Sequence, residues 1–421
     1  MYERGKRQIK STQKLLSLFP FGLYLWTLHG KEGEAHSMER KKVVFLGFMH
    51  FLLDSYMGFF PIYLVIARLD PRKAALIITS SSFAGNLLQP FMGYASDRVR
   101  GKLPLCTGML LASISMSAIG MTRNYLLLFF LVLFGHLGSS LFHPAGAHVS
   151  SAAGRERKDT SFALFSTIGT FGFALSQPIF SAFTDRFGTS ISFLLAVPTI
   201  LTAVLFLQFS DTGISDRVES LHYRELGTRL MRRFFPISLL FLIMVFRSAF
   251  VYSMNSFVAK TFEEWGFSRY VYSSANTVFM ISGALGILTA GYLSVHVKPR
   301  RLVRISLAGF FPFFVFFLYF GIQGKAFPAF LFLSLCGFVL HGGYGTNIVM
   351  GHRIAPEMMS TISGILMGFA WAASSFGPTL CAYSHSLFPR IGGFASGLLL
   401  LSLFPLIATG FSLFLPAEVD G

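Results

Sequence analysis

The chain has 421 residues, 53% of them hydrophobic, 16% aromatic and only 13% charged, with 50 phenylalanines and a net charge of +16. A soluble domain carries about 25% charged residues, so this composition excludes a large water-soluble globule. The hydrophobicity excludes a disordered chain and the 3 cysteines exclude a disulfide scaffold; the basic excess points away from nucleic acid, because it sits between apolar runs too long for soluble core helices.

Residues 1–42 form an N-terminal extension with a 14-residue apolar run at 15–28 between basic flanks. That run is short for a bilayer whose hydrocarbon core takes about 20 helical residues, and no small-residue cleavage site follows it. It reads as an interfacial cytoplasmic segment, or as sequence upstream of a true start at Met38. Six apolar runs follow at 43–67, 75–95, 103–122, 124–147, 160–184 and 190–209, an N-terminal bundle over 43–209. A polar linker, 210–233, precedes six more runs at 234–258, 270–295, 302–321, 326–349, 360–385 and 391–415, a C-terminal bundle over 234–415 with a short tail, 416–421. The expected fold is therefore all-α and polytopic, with twelve transmembrane helices and the lipid bilayer as its medium.

Basic residues orient the spans. The N-terminus and alternate loops on its side carry 25 Lys and Arg, the opposite loops 9, and Arg247 falls inside a helix. This split puts both termini and the linker in the cytoplasm.

The halves repeat. Gly93-Tyr94-Ala95-Ser96 closes the second run and Gly291-Tyr292-Leu293-Ser294 the eighth, while Pro178 late in the fifth matches Pro378 late in the eleventh. Parallel six-helix halves resemble the major facilitator transporters, whose solute site lies between the halves near the midplane. The segment from Gly93 through Asp97 and Arg98 to Lys102 resembles the signature of that superfamily between helices 2 and 3, with Arg100-Gly101 in place of its usual Gly at 100. The resemblance implies that Gly93, Asp97 and Arg98 latch one closed state of a rocking carrier.

More specific pieces are His50-Phe51-Leu52-Leu53-Asp54, Leu87-Leu88-Gln89-Pro90, Gly138-Ser139-Ser140-Leu141-Phe142-His143-Pro144, Arg247, and Ala355-Pro356 before Ser363-Gly364. Together they resemble the fosmidomycin-resistance family of exporters from about residue 43 to 415. The sequence departs from that family at Arg353, where an acid is expected, and at Gln177-Pro178, where many drug:proton antiporters have Gly-Pro. The resemblance implies a multi-pass, monomeric carrier of the bacterial inner membrane that exports a small organic solute, anionic or drug-like, using the proton gradient and no bound cofactor. Import by the same fold is the alternative.

Ionisable groups at membrane depth are costly and mark pathways or partners. Asp54 lies midway along the first span with His50 one turn before it on the same face; Arg247 lies midway along the seventh, its positional twin. If both face a central cavity, Asp54 is the candidate proton carrier, His50 its modulator, and Arg247 an attractant for an anion or a counter-ion holding Asp54 ionised; a fixed ion pair is the structural alternative. His143 either satisfies the backbone next to Pro144 or titrates. Gln89 and Pro90 read as a kink with a polar handle, and Pro144, Pro178 and Pro378 as kinks. His143 and His148 are too poorly phased on a helix for a metal pair, so no metal is expected.

Enzyme or sensor readings find little purchase. No Gly-x-Ser-x-Gly elbow accompanies His341-Gly342-Gly343-Tyr344-Gly345, and there is no Walker-type phosphate loop and no His-Glu-x-x-His. Cys106, Cys336 and Cys381 read as packing residues, and the glycines within 169–172 and 364–377 as close-packing faces.

Overall fold

The computed structural model describes residues 34–98, 102–153, 158–209, 231–294, 296–355, 362, 364–385, 387 and 392–420, and among them the chain is helical with no strand. The first bundle comprises α1 (Glu34–Met57, continued as Phe59–Ile66), α2 (Pro71–Arg98), α3 (Lys102–Ala118), α4 (Tyr125–Ala153), α5 (Lys158–Phe187) and α6 (Val197–Phe209). The second comprises α7 (Phe234–Glu264), α8 (Arg269–Leu293), α9 (Pro299–Ile322), α10 (Ala326–Ile354), α11 (Gly364–Phe369, Ala370–Ser374 and Phe376–Tyr383) and α12 (Gly393–Leu413). A short turn, Ala417–Asp420, ends the described chain.

Two breaks have a common cause. Pro61 has no N–H to give the carbonyl of Met57, and Pro378 none for Ser374, so α1 turns at Gly58 and α11 at Ser375. Pro378 is one of the prolines read as a kink in the sequence; Pro61 is not. By contrast Pro144 and Pro178 are carried inside continuous helices.

Among the described residues nine helical stretches are long and apolar enough to cross a membrane. The three further spans of the twelve-helix fold differ for physical reasons. Helix α6 has 13 residues and begins after the 3-10 turn Ser192–Ala196. Helices α2 and α5 are rich in Ser, Thr, Gly, Asn and Gln and both meet the other half, α2 packing on α11 and α5 on α8, as the second piece of α1 does on α7. Their polar faces therefore meet protein rather than lipid.

That pairing exposes the internal symmetry, since α2 and α5 are the repeat counterparts of α8 and α11. The repeat extends to side chains. A Cβ on Gly85 of α2 would run into His136 of α4, and one on Gly283 of α8 into His341 of α10; the two glycines are 198 residues apart, the same spacing as Gly93 and Gly291. Within the halves, aromatic packing fills the gaps, as where Phe250 meets Phe310 and Phe314 with ring centroids 5.2 Å apart.

Among the described residues, polar contacts between the halves lie at mid-height or towards the end opposite the chain termini. There Arg269 of α8 pairs with Asp185 of α5 at 3.1 Å and donates to the Ser181 carbonyl (2.9 Å), the Ser181 hydroxyl (3.1 Å) and Thr184 Oγ1 (3.0 Å). On the symmetry-related seam, Thr79 of α2 donates to the Ser375 carbonyl (2.8 Å) and meets Thr379 Oγ1 (2.7 Å), and Arg72 lies over the Tyr383 ring.

Candidate functional site

Within the first bundle, α1 presents His50 and Asp54 one turn apart. His50 Nε2 lies 3.1 Å from Asp54 Oδ2. From α4, His143 brings its Nε2 to 3.1 Å from His50 Nε2 and 3.4 Å from Asp54 Oδ1. The three side chains are largely buried, with 6%, 15% and 18% of His50, Asp54 and His143 exposed. The His50 ring stacks on Phe165 of α5 at 4.2 Å and faces Gly169, where a Cβ would overlap it. A Cβ on Gly172 would likewise strike the Phe51 carbonyl, so these glycines let α5 approach α1 closely enough to seat the imidazole.

The hydrogen bonds fix what this cluster requires. His50 Nδ1 contacts the Phe165 carbonyl at 3.0 Å, and His143 Nδ1 contacts the Ser139 carbonyl at 2.8 Å and the Ser139 hydroxyl at 3.0 Å. A carbonyl only accepts, so each Nδ1 carries hydrogen, and in a neutral imidazole the Nε2 is then a lone pair. Two such lone pairs and a carboxylate converge at hydrogen-bond distance. Neutral rings beside an ionised Asp54 would set acceptor against acceptor, and one added proton on His50 Nε2 would face both Asp54 Oδ2 and His143 Nε2, the two shorter of the three contacts. The ligand atoms also lie within 4.8 Å of one another, near enough to hold a metal ion, a possibility the reading of His143 with His148 did not reach; direct contact at hydrogen-bond distance lets protons alone satisfy the set. The side chain of His148 lies outside the described residues.

His143 thus bonds the carbonyl of Ser139 and not that of Ser140, the one Pro144 leaves without its helical donor. The triad is its principal environment. The sequence pairs His50 with Asp54 and leaves His143 either satisfying the backbone next to Pro144 or titrating; what joins it to the pair is the contact of α1 with α4, which is tertiary.

Arg247 of α7 is buried, at 4% exposure. Its Nε donates to the Leu340 carbonyl of α10 at 3.3 Å, its guanidinium lies 5.0 Å from the Tyr344 ring centroid, and its Nη2 has no partner. Tyr344 in turn stacks on Trp371 of α11, 6.3 Å between centroids. The expected meeting of Asp54 with Arg247 does not occur: among the described residues no ion pair joins them, and each is held by partners of its own half. The carboxylate has two imidazoles closer at hand.

The other expected sites divide. Gln89 is buried with its Oε1 unpartnered, whereas the side chain of Pro90 lies outside the described residues. Helix α2 runs through Gly93 to Arg98, but the side chains of the proposed latch, Asp97 and Arg98, also lie outside them. Gly377 packs against the Ala249 carbonyl, and the three cysteines are buried, as packing residues should be. Arg353, the basic departure, donates to the carbonyls of Val419 (3.3 Å) and Asp420 (2.8 Å), fastening the C-terminal turn to α10.

Comparison with known proteins decides the family. The family model described as Major Facilitator Superfamily matches residues 43–378. The chain belongs to this superfamily. Among curated major facilitator relatives, the Uncharacterized MFS-type transporter YfnC of Bacillus subtilis (strain 168) is 21% identical over 352 residues, covering 80% of this chain and 84% of its own. The Fosmidomycin resistance protein of Escherichia coli (strain K12) is 20% identical over 315 residues, covering 72% and 75%. Solved structures share the fold: a variant of the nucleoside transporter NupG superposes with a TM-score of 0.74 at 13% identity, covering 90% of this chain and 99% of that one. A bacterial homolog of the human lysosomal transporter Spinster, inward-facing and occupied, gives 0.70 at 16% identity, covering 89% and 96%. As a major facilitator protein the chain is a multi-pass membrane transporter and not an enzyme.

Proposed function

We propose that this transporter exports a small organic anion in exchange for protons, working as a monomer in a bacterial inner membrane with both termini in the cytoplasm. The observation that carries the reading is the acceptor-only convergence of His50, Asp54 and His143, which calls for an added proton. Opening the cluster to one side and then the other lets that proton load and leave. Arg247 supports the anionic solute: it is a buried cation with one arm of its guanidinium free, in a half whose described ion pairs all lie near the helix ends. The relation to the Fosmidomycin resistance protein supports export, and the contacts that seal the end opposite the termini support a carrier open towards the cytoplasm. Gly93, Asp97 and Arg98 are proposed to latch the alternate state.

The test is solute-dependent proton flux in proteoliposomes, with fosmidomycin as the first probe. Wild type is expected to acidify the lumen as solute leaves it. Asp54→Asn, which keeps the shape but not the charge, is expected to retain solute exchange and lose proton flux. Full proton-driven transport by Asp54→Asn refutes the coupling role, and solute accumulation driven down a proton gradient in the same direction as the protons establishes import instead.

A further inference from the structure

A second polar region runs where the halves meet at mid-height, and charge-based reading of the sequence passes it over. On α7, Ser248, Tyr252 and Asn255 recur at helical spacing and form a stripe next to Arg247 in the chain. Asn86 of α2 donates from Nδ2 to Tyr252 Oη at 3.4 Å, and Gln177 of α5, fully buried, donates from Nε2 to the Asn255 carbonyl at 3.1 Å. That second bond fixes the amide: Nε2 faces a carbonyl, so the free atom is Oε1. Gln177 Oε1, Asn255 Oδ1 and Ser248 Oγ are all buried without a partner.

Buried polar atoms without partners are costly, about 1–3 kcal/mol each, and three sharing one inter-half seam call for a shared explanation. The unmet atoms are acceptors, with a serine hydroxyl that can also accept. Ser248 to Asn255 spans about 10 Å of helix, the reach of an extended six-carbon solute. We infer that this seam is a second part of the solute site and selects organic anions that also carry hydroxyl or N–H donors. The inference rests on the reading of Arg247 as the anion anchor. It makes the amides of α5 and α7 the specificity element: the solute replaces contacts that otherwise tie the halves together, so binding and rocking become linked.

The test compares gluconate with hexanoate, acids of equal chain length and charge with and without hydroxyls, by titration calorimetry on the purified full chain in detergent. Gluconate is expected to bind about tenfold or more tighter. Gln177→Leu and Asn255→Leu are each expected to cut that preference about five- to tenfold, with hexanoate still bound and an unaltered melting temperature reporting an intact fold. Ser248→Ala gives the same reading at smaller size if either leucine variant fails to fold. Equal affinities in wild type, no measurable gluconate binding, or an unaltered preference in Gln177→Leu overturns the proposal and leaves the seam to water. Loss of the preference in Gln177→Leu alongside undiminished gluconate binding in Arg247→Ala refutes the anion anchor alone.

Discussion

The two bundles share a scaffold and differ in their chemistry. In the first, α1 and α4 bring an acid and two imidazoles together, and the set is partly exposed and short of a proton. In the second, α7 carries a single arginine, buried, braced by a carbonyl and an aromatic face, with its Nη2 unpartnered. Repetition conserves backbone approach, as Gly85 with His136 and Gly283 with His341 show, while the charged residues have diverged. On the proposed function such a carrier divides its work: one half answers to protons, the other to solute, and the contacts between them couple the two.

The sharpest way to break this division is to remove the arginine. Arg247→Ala deletes a charge-assisted contact of the kind worth about 1.5–3 kcal/mol, so anion affinity is expected to fall about 10- to 100-fold, read by calorimetry, with the proton-binding behaviour of the other half unchanged. Equal loss of proton binding would show the halves are not chemically separate.

Next come two glycines that each abut a histidine ring. Gly169→Ala puts a methyl group into the His50 ring and Gly283→Ala puts one into His341; overpacking of this kind costs about 1–3 kcal/mol. Both are expected to lower the melting temperature by similar amounts, and only Gly169→Ala is expected to shift the pH dependence of transport, because only His50 touches the triad. A pH shift in Gly283→Ala would give His341, whose Nε2 is unpartnered, a part that the division denies it.

The seams between the halves offer a smaller effect. The α5–α8 seam is closed by the ion pair of Arg269 with Asp185, 29% and 44% exposed, and the α2–α11 seam chiefly by hydroxyls. An exposed pair contributes about 0.2–1 kcal/mol, so Asp185→Ala, which leaves the hydrogen bonds of Arg269 to Ser181 and Thr184 in place, is expected to raise the population open at that end by up to about fivefold, measured by spin-label distances across the seam. The effect should fade in salt, and that of Thr379→Val should not.

The twelve spans and two halves were legible because bilayer length and repeat spacing are written along the chain, as at Gly93 and Gly291. So was the pairing of His50 with Asp54, a local helical relation. The partners of His143 and Arg247 were not, since both are set by which helices touch: α4 against α1, and α10 against α7. Charge draws attention to Asp54 and Arg247 as a pair, but the packing seats two imidazoles nearer the carboxylate. Gln177 was read as a missing glycine, and its role as a bridge to Asn255 needed the other half in place.

The smallest expected effect tests whether the second bundle has its own fastening at the terminal end. Asp420 accepts from Arg300 through its backbone N–H (3.2 Å) and Nε (2.8 Å) and pairs with Nη2 at 2.7 Å, while Arg300 Nη1 and Arg353 Nη1 hold the carbonyls of Leu415 and Asp420. Burial pushes the Asp420 carboxyl up, but the hydrogen bonds and charge of Arg300 outweigh it and hold the group below the ordinary carboxylate range. A carboxyl that is more acidic in the folded state stabilises the docked turn above its ordinary value and loses that contribution as pH falls through the depressed one. Docking should therefore be constant near neutrality and weaken only in acid. Asp420→Asn should abolish that pH response and loosen the turn by no more than about 1 kcal/mol, seen as faster carboxypeptidase trimming at neutral pH. Arg353→Glu, which restores an acid at that position, should loosen it further by setting a second carboxylate beside Asp420 and removing the donor to its carbonyl. If neither variant changes trimming while solute affinity at Arg247 is also intact, the C-terminal turn contributes nothing to holding α9, α10 and α12 together, and the second bundle owes its rigidity to helix packing alone.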